Sequence, residues 1–269
     1  MLDIKDLSIT FNADTVNEKK ALDSVNLHLN EGDFVSVIGS NGAGKSTLLN
    51  CISGTYIPDS GSILLDGKDI TYMREHKRAK KIGRLFQDPL KGTAPNMSIE
   101  ENLSLAYRRG NPSNSIYNRF LKTGLNHDER TLVKTKLVSL GLGLEERLNS
   151  KVGLLSGGQR QALTLMMATI NVPTLLLLDE HTAALDPKTA AQVMKITDNV
   201  IKDNHITTLM ITHNITQALN YGNRLIVMSE GKILMEFNQE EKSKMSVEDV
   251  MKVYSAASAV DLSDKMLLE

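Results

Sequence analysis

The first third of the chain alternates hydrophobic and polar residues in the way that β-strands do. The alternation covers residues 2–11 and 25–29, and a compact apolar run follows at residues 34–38. Alternation with a period of two predicts strands with one buried face, whereas a short continuous apolar run predicts a strand buried on both faces. The polar residues 14–20 predict a loop between the first two strands. We therefore expect a sheet to form early in the chain.

The pattern changes between about residues 98 and 170, where helical spacing replaces strand spacing. Ser98 and Glu101 of "SIEE" carry the signature of a capping box, which marks the start of a helix. Beyond this segment, strand-like runs alternate with helix-like stretches, which is typical of a parallel sheet. The strand-like runs are residues 174–178, 207–212 and 224–229. These features predict an α/β protein with a helical insert.

Composition narrows the classes of function. Lys and Arg total 31 against 32 for Asp and Glu, so the net charge of -1 provides no overall field that would attract nucleic acid or an anionic membrane. No stretch approaches the roughly 18 apolar residues of a membrane span, and we expect the chain to stay in the cytosol. The single cysteine, Cys51, cannot form an internal disulfide, and packing is a better interpretation of it than catalysis.

A glycine-rich segment, "GSNGAGKST", directly follows the apolar run 34–38 and precedes a helical run. This is the context of a phosphate-binding loop. Its backbone N–H groups can curl around a β-phosphate, Lys45 supplies a positive charge for the β- and γ-phosphate oxygens, and Ser46 offers its hydroxyl to Mg²⁺. The loop consists of Gly39, Ser40, Asn41, Gly42, Ala43, Gly44, Lys45, Ser46 and Thr47.

Two adjacent carboxylates, Asp179 and Glu180, end the buried run 174–178. Side chains at the end of such a strand emerge at the edge of the sheet. Consecutive residues of a strand point to opposite faces, so we assign Asp179 to the Mg²⁺ shell and Glu180 to the attacking water.

A second candidate anion site is "LLSGGQRQ" at residues 154–161, where a serine and two glycines precede a long helical pattern. A helix start presents unpaired N–H groups and a partial positive charge, and glycine lets an anion approach the backbone closely. Such a site suits phosphate. The phosphate loop lies more than a hundred residues earlier, so this second site is either redundant or serves another ligand.

Six motifs in this order resemble those of the ATP-binding subunits of ABC transporters, over residues 2 to about 237. They are the phosphate loop, Gln87 after a strand, "LSGGQ" at 155–159, the strand that ends in Asp179 and Glu180, "ALDP" at 184–187, and His213 after "LMIT". The resemblance implies an α/β fold in which a P-loop NTPase (RecA-like) core carries an antiparallel β subdomain and an inserted helical subdomain. A single ATP-binding domain would span residues 1–269, with the helical subdomain at about 90–170 and a short C-terminal extension at 238–269.

In such proteins two chains face each other with ATP between them. By this resemblance Ser156, Gly157, Gly158 and Gln159 of one chain would close over the γ-phosphate held by Lys45 of the other chain. Asp186 would reach across the dimer. The second anion site would then not be redundant, because neither chain alone would hold a complete site.

The resemblance implies roles for three further residues. Gln87 would sense the γ-phosphate and the metal, and it would link the sheet to the helical insert. His213 would hold the γ-phosphate and order Glu180 with the water. Phe11 stands at the end of the first strand, where the family places an aromatic ring under adenine, although phenylalanine is also an ordinary strand residue.

At the level of function, the resemblance implies an ATPase, with ATP and Mg²⁺ as cofactors, that powers transport of a small solute. Its partners would be a second ATP-binding subunit, transmembrane permease subunits at the cytoplasmic face of the membrane, and an extracellular or periplasmic substrate-binding protein, with no nucleic acid. We expect import, with amino acids as cargo. The alternative is a cytosolic ABC ATPase of iron–sulfur cluster assembly or another non-transport role. The cluster-assembly type usually has Glu where this chain has Gln159.

Two features of the sequence are each open to two interpretations. His181 stands where the family usually has proline, so it is either a ring that tunes the pKa of Glu180 or a tolerated substitution in a turn. Residues 108–130 are longer and more basic than the helical insert needs. They form either a contact with lipid headgroups or a partner, or a solvated loop.

Overall fold

The structure, a computed structural model, describes residues 1–109 and 125–257. The chain divides into two compact units. Unit 1 comprises Met1–Arg78, Leu177–Glu180 and His205–Glu269, and unit 2 comprises Ala79–Leu176 and His181–Asn204.

The described chain contains both helices and strands. In chain order they are β1 (Leu2–Phe11), β2 (Lys19–Leu29), β3 (Phe34–Gly39), α1 (Lys45–Ser53), β4 (Ser60–Leu65), β5 (Lys68–Asp69), α2 (Glu75–Arg78), β6 (Ile82–Leu85), α3 (Ile99–Arg108), α4 (His127–Val138), α5 (Gly157–Thr169), β7 (Leu175–Asp179), α6 (Pro187–Asp203), β8 (Thr207–Ile211), α7 (Ile215–Asn220), β9 (Arg224–Ser229), β10 (Lys232–Phe237), α8 (Gln239–Ser243) and α9 (Val247–Ala257). Short 3₁₀ helices lie at Pro89–Gly92, Leu144–Glu146 and Val152–Leu154.

Unit 1 contains an antiparallel sheet in the order β2-β1-β4-β5. Leu2 and Ile4 of the first strand are buried, and each lies between apolar partners on both neighbouring strands. Leu2, for example, is opposite Leu29 on one side and Leu65 on the other. Because directly opposite residues share a face of the sheet, these side chains form one apolar layer. The predicted alternation is confirmed here. The loop that joins the first two strands covers residues 12–18 and not the predicted 14–20, because Lys19 and Lys20 already pair with β1 as the start of β2.

A second sheet of unit 1 has the order β10-β9-β3-β8-β7. All six residues of β3 are buried, and this strand pairs in parallel with both β8 and β9. A strand covered on both faces needs a mostly apolar sequence, which is the pattern at residues 34–38; the one polar residue, Ser36, donates to the carbonyl of Tyr221. Parallel pairing also brings the carboxyl ends of these strands to one edge of the sheet.

The helical segment lies in unit 2, where its helices pack around an apolar core. Strand β6 of this unit neighbours β7, and the N–H group of Thr174, just before β7, donates to the carbonyl of Lys81. Three of its helices, α3, α4 and α5, begin with a capping box in which side chain and backbone bond reciprocally. The buried core residues are Ile99, Leu103, Ala106, Val133, Leu137, Leu140, Leu144, Leu148, Val152, Leu155, Ala162, Leu163, Met166 and Ile170.

A buried arginine holds the far end of α1 in unit 1. Arg78 is only 2% exposed, and its guanidinium donates to the carbonyls of Cys51 and Ile52 in the last turn of α1 at 2.7 and 2.9 Å. It also donates to the carbonyls of Thr71 and Met73 at 2.8 and 2.7 Å. A cation at the C-terminal end of a helix is stabilised by the helix dipole, so these contacts fix the position of α1.

Candidate functional site

The phosphate loop joins β3 to α1, and at two of its positions there is no room for a side chain. A Cβ atom at Gly39 would lie 2.5 Å from the carbonyl oxygen of Met228, and one at Gly44 would lie 2.5 Å from that of Ala21. Gly44 also has a φ of +97°, a conformation that favours glycine. Glycine at these two positions lets the loop backbone pack closely and turn, which suits phosphate binding.

Lys45, the first residue of α1, lies inside this loop. It is 5% exposed, and its Nζ atom donates to the carbonyls of Gly39 at 2.6 Å and Ser40 at 3.0 Å. Burial lowers the pKa of Lys45, while the negative charges of Glu180 and Asp179 act in the opposite direction. The ammonium group is thus held where phosphate oxygens of a bound nucleotide can replace the carbonyl oxygens as acceptors.

Two oxygen donors suited to Mg²⁺ lie beside the loop. Ser46 Oγ donates to Asp179 Oδ1 at 3.4 Å, so the second residue of α1 faces the last residue of β7. Within the described ranges, no cluster of three or more His, Cys, Asp or Glu side chains could hold a metal ion. Mg²⁺ typically takes one or two protein oxygens and completes its shell with phosphates and water, so this donor pair fits it.

Glu180 lies outside the strand, which corrects one step of the sequence analysis. The strand β7 ends at Asp179, and Glu180 has a left-handed backbone with a φ of +48°. Alternation along a strand therefore does not separate the two carboxylates. Their separation comes instead from the turn, in which the N–H group of Glu180 donates to the carbonyl of Ile211 at 3.0 Å. A left-handed conformation is uncommon for a residue with a side chain and is frequent at functional sites.

Glu180 is paired with His213. The Oε1 atom of Glu180 and the Nε2 atom of His213 are 2.5 Å apart, and the two side chains are 11% and 37% exposed. His213 follows β8, which parallel pairing places next to β3 and its loop. A carboxylate held by an imidazole at a cavity edge can accept a proton from a water molecule.

These unit 1 residues line an open cavity of about 230 Å³. Phe11 lines it, and the Phe11 ring packs edge-on against Tyr56 with centroids 5.2 Å apart. Two lining residues that follow the first loop, Lys19 and Ala21, were not predicted from the sequence. The full lining is Phe11, Lys19, Ala21, Asn41, Gly42, Ala43, Gly44, Lys45, Ser46, Thr47, Glu180 and His213.

The other predicted site residues belong to unit 2. Gln87 is exposed, two residues after the end of β6. Ser156 is the N-cap of α5: its Oγ accepts from the N–H of Gln159, and the Gln159 side chain accepts from the N–H of Ser156, both at 3.3 Å. Asp186 is the N-cap of α6, and its hydrogen bonds with Thr189 hold the pKa of Asp186 below its usual value.

The two glycines after Ser156 differ in their surroundings. A Cβ atom at Gly158 would lie 2.3 Å from Thr189 Cγ2 on the neighbouring helix α6. At Gly157 the nearest atom would be Leu185 Cδ2, the far end of a flexible side chain, at 3.0 Å. Close helix packing therefore requires glycine at 158, whatever ligand approaches the helix start.

His181 is a buried neutral side chain. It is 3% exposed, and burial lowers the pKa of His181 to about 4. Its Nε2 atom lies 3.3 Å from the hydroxyl of Thr197, which itself donates to the carbonyl of Val193, so Nε2 carries the proton and donates. A ring that is neutral at ordinary pH brings no charge to Glu180, which favours the interpretation of His181 as a tolerated substitution.

The structure also bears on the interpretation of Cys51 and of the basic segment 108–130. Cys51 is fully buried, and burial raises its pKa to about 12, which excludes a reactive thiolate. In the basic segment 108–130, residues 110–124 lie outside the described residues. At its start, the guanidinium of Arg109 is half-buried and donates to the carbonyls of Met167 and Ala168 at the end of α5.

Comparison with known proteins identifies the family. A family model described as ABC transporter matches residues 22–183, more than half of the chain. The chain belongs to the ABC transporter family. This ABC protein is 44% identical over 257 residues to the tyrosine transport ATP-binding protein of Clostridioides difficile strain R20291, covering 96% of this chain and 100% of that protein.

Solved structures agree with this assignment. The ATP-binding cassette MJ0796, in a dimeric post-hydrolysis state bound to ADP and Pi, has a TM-score of 0.72 and 29% identity, covering 89% of this chain and 99% of that one. The cbiO1 protein of Clostridium perfringens, part of the ABC transporter complex cbiONQ, has a TM-score of 0.74 and 29% identity, covering 95% and 94%.

These similarities confirm the predicted fold class and the prediction of an ATPase. The protein is an ATP-binding subunit of an ABC transporter, and nothing in the comparisons supports the iron–sulfur alternative. No helix among residues 1–109 and 125–257 is both long and apolar enough to cross a membrane.

The buried His181 predicts a loss of stability in mild acid. Its folded pKa of about 4 lies below the value of about 6.5 expected in the unfolded chain, so the unfolded state binds more protons as the pH falls below about 6.5. We expect about 2 kcal/mol of unfolding free energy to be lost through this group between about pH 7 and about pH 5. The loss is measured by urea unfolding of wild type and His181→Gln at both pH values. The variant should not show it, because it lacks the titrating ring.

The matched control is His205→Gln, since His205 is exposed. It should keep the wild-type acid sensitivity. If His181→Gln loses as much stability between the two pH values as the control does, His181 is not neutral in the folded protein.

Proposed function

We propose that this chain hydrolyses ATP to power import of an amino acid, with tyrosine as the first candidate cargo. The observation that carries the hydrolytic part is the pair formed by Glu180 and His213 at a cavity that also contains the phosphate loop. The cargo is suggested by the tyrosine transport protein, which aligns over its full length.

The residues of unit 1 have separate roles in the proposed reaction. The loop N–H groups and Lys45 bind the β- and γ-phosphates, and the Phe11 ring stacks under adenine. Ser46 and Asp179 would hold Mg²⁺, which neutralises the charge that develops on the phosphates. Glu180 accepts a proton from the attacking water, while His213 orients the carboxylate and faces the γ-phosphate.

The start of α5 suits a role in a dimer. Ser156 and Gln159 cap each other, and Gly157 next to them is exposed, so its N–H group can approach an anion. In our proposal Ser156, Gly157 and Gly158 of one chain cover the γ-phosphate bound by Lys45 of a second copy, and Asp186 contributes across the same interface. The dimeric state of MJ0796, bound to ADP and Pi, supports the dimer in this proposal.

The remaining partners follow from the transporter family. We infer that the dimer binds transmembrane permease subunits at the cytoplasmic face of the membrane and that a periplasmic or extracellular substrate-binding protein delivers the cargo. The cbiO1 protein, part of the complex cbiONQ, is a parallel for a separate ATP-binding chain within a larger transporter. ATP binding closes the dimer and hydrolysis reopens it, so that each cycle moves the permease.

Glu180→Gln should lower the rate of ATP hydrolysis by at least about a hundredfold while ATP affinity is retained, because the water loses its proton acceptor and the phosphate loop stays intact. The variant should also accumulate as a dimer when ATP and Mg²⁺ are present. Hydrolysis is measured by phosphate release and the dimer by gel filtration with nucleotide.

Glu230→Gln is the matched control, since Glu230 is exposed and has the same φ of +48° as Glu180. It should hydrolyse ATP at close to the wild-type rate. A Glu180→Gln protein that hydrolyses within a few-fold of wild type, or that stays monomeric with ATP, contradicts the role given to Glu180.

A mixed dimer tests the shared site. Lys45→Ala removes the phosphate-binding charge of a chain's own loop, and Gly157→Asp places a carboxylate where the γ-phosphate of the other chain should lie. Each variant alone should fail to retain ATP. A dimer of the two should retain one ATP, because the intact loop of the Gly157→Asp chain meets the intact helix start of the Lys45→Ala chain.

The aspartate is placed at 157 because the crowding at Gly158 would disturb packing on its own. Nucleotide retained by the purified mixed dimer is the measurement. If mixed dimers form and retain no more ATP than either parent, the helix start of α5 does not act on the second chain's nucleotide.

Uptake of labelled tyrosine by cells that produce this chain tests the cargo. Replacing the wild-type protein by Glu180→Gln should reduce uptake by at least about tenfold, because the transporter cannot reopen without hydrolysis. Glu230→Gln cells should transport normally, and sugar uptake should not change in either strain. Normal tyrosine uptake in the Glu180→Gln strain would exclude tyrosine as the cargo. If that strain instead showed reduced activity of iron–sulfur enzymes, the non-transport alternative would be favoured.

A further inference from the structure

Lys19 lies beside the predicted adenine-stacking ring. It is the first residue of β2 and is directly opposite Phe11, the last residue of β1. Directly opposite residues of an antiparallel pair project from the same face of the sheet, with Cβ atoms about 5 Å apart. Lys19 therefore shares its face with the Phe11 ring, and both residues line the cavity.

The amine of Lys19 reaches the phosphate loop at Gly42. A Cβ atom added to Gly42 would lie 3.0 Å from Lys19 Nζ. Lys45 Nζ, in contrast, is bound to the carbonyls of Gly39 and Ser40 at the beginning of the loop. Two amines from sequence-distant parts of the chain thus approach the same loop at different residues.

The charge of Lys19 is not neutralised by a carboxylate. Its side chain is exposed, and it takes part in none of the ion pairs formed within residues 1–109 and 125–257. The neighbouring Lys20, opposite Thr10, forms an ion pair with Asp23. A lysine without a competing carboxylate, held at an anion-binding loop, gains a charge-assisted hydrogen bond when a phosphate arrives.

We propose that Lys19 is a second phosphate-binding lysine of the site and donates to the β-phosphate of the nucleotide. This rests on the nucleotide site described under the proposed function. The loop at Gly42 belongs to the backbone that curls around the β-phosphate, and the Phe11 ring beside Lys19 marks the base end of the nucleotide. ATP and ADP share the β-phosphate, so Lys19 should contribute equally to the binding of both.

The test uses calorimetric titration of the full-length chain with ADP and with ATP, in a metal chelator that prevents hydrolysis. Lys19→Gln should raise the Kd of both nucleotides by the same factor, about three- to tenfold, and Lys19→Arg should restore most of the affinity. The matched control Lys20→Gln should stay within about twofold of wild type, because Lys20 projects from the opposite face. The effect of Lys19→Gln should shrink as ionic strength rises from about 0.05 M to about 0.5 M, because salt screens an exposed contact.

The outcomes separate this proposal from the proposed function. A wild-type chain that binds neither nucleotide would contradict the proposed function itself. If wild type binds both, four results overturn the role of Lys19: an unchanged Kd in Lys19→Gln, a loss that salt does not affect, an equal loss in Lys20→Gln, or a loss confined to ATP. A loss confined to ATP would indicate that Lys19 contacts the γ-phosphate and not the β-phosphate.

Discussion

The phosphate loop is packed so closely against its surroundings that side chains are excluded from it at two positions. At Gly39 the obstacle is the carbonyl of Met228 at the end of β9, and at Gly44 it is the carbonyl of Ala21 in β2. Glycine is therefore required at both positions, which suits a loop that binds phosphate through its backbone N–H groups. The helix α1 begins immediately afterwards, so Lys45 and Ser46 lie at the helix end where a negative ligand is stabilised.

Parallel pairing then brings the remaining groups of unit 1 to the same edge. β3 pairs in register with β8, so that Val37 is opposite Ile211, and the chain leaves both strands at their carboxyl ends. His213 follows β8, and the turn at Glu180 is fixed by a backbone bond to Ile211. The contact between Glu180 and His213 is thus a consequence of strand order, although the two residues are distant in sequence.

The far end of α1 is fixed as firmly as its loop end. The guanidinium of Arg78 satisfies two carbonyls in the last turn, and Gly54 leaves room for it, because a Cβ atom there would lie 2.7 Å from Arg78 Nε. A buried charge of this kind is tolerated only when its hydrogen bonds are made, and here four carbonyls accept them. A helix held at both ends keeps Lys45 in one place relative to the sheet.

Local patterns predicted much of this site, because a phosphate loop and the carboxylates at a strand end depend on adjacent residues. The largely apolar run of β3 and the capping box of α3 were also readable, since each is a short-range signal. What the sequence did not predict depends on contacts between distant residues. The position of Lys19 depends on strand register, and the left-handed turn at Glu180 depends on a bond to β8.

The two glycines at the start of α5 show how one motif can carry two separate constraints. Gly158 is buried against Thr189 of α6, so a larger residue would collide whether or not a nucleotide is bound. The capping box takes up the N–H groups of Ser156 and Gln159, and the N–H of Arg160 donates to the carbonyl of Ser156. Gly157 is exposed, lies outside these bonds and meets only a flexible leucine end. Its N–H group is therefore the part of the motif best placed to donate to an anion. Gly158 instead allows the close packing that holds the helix in place.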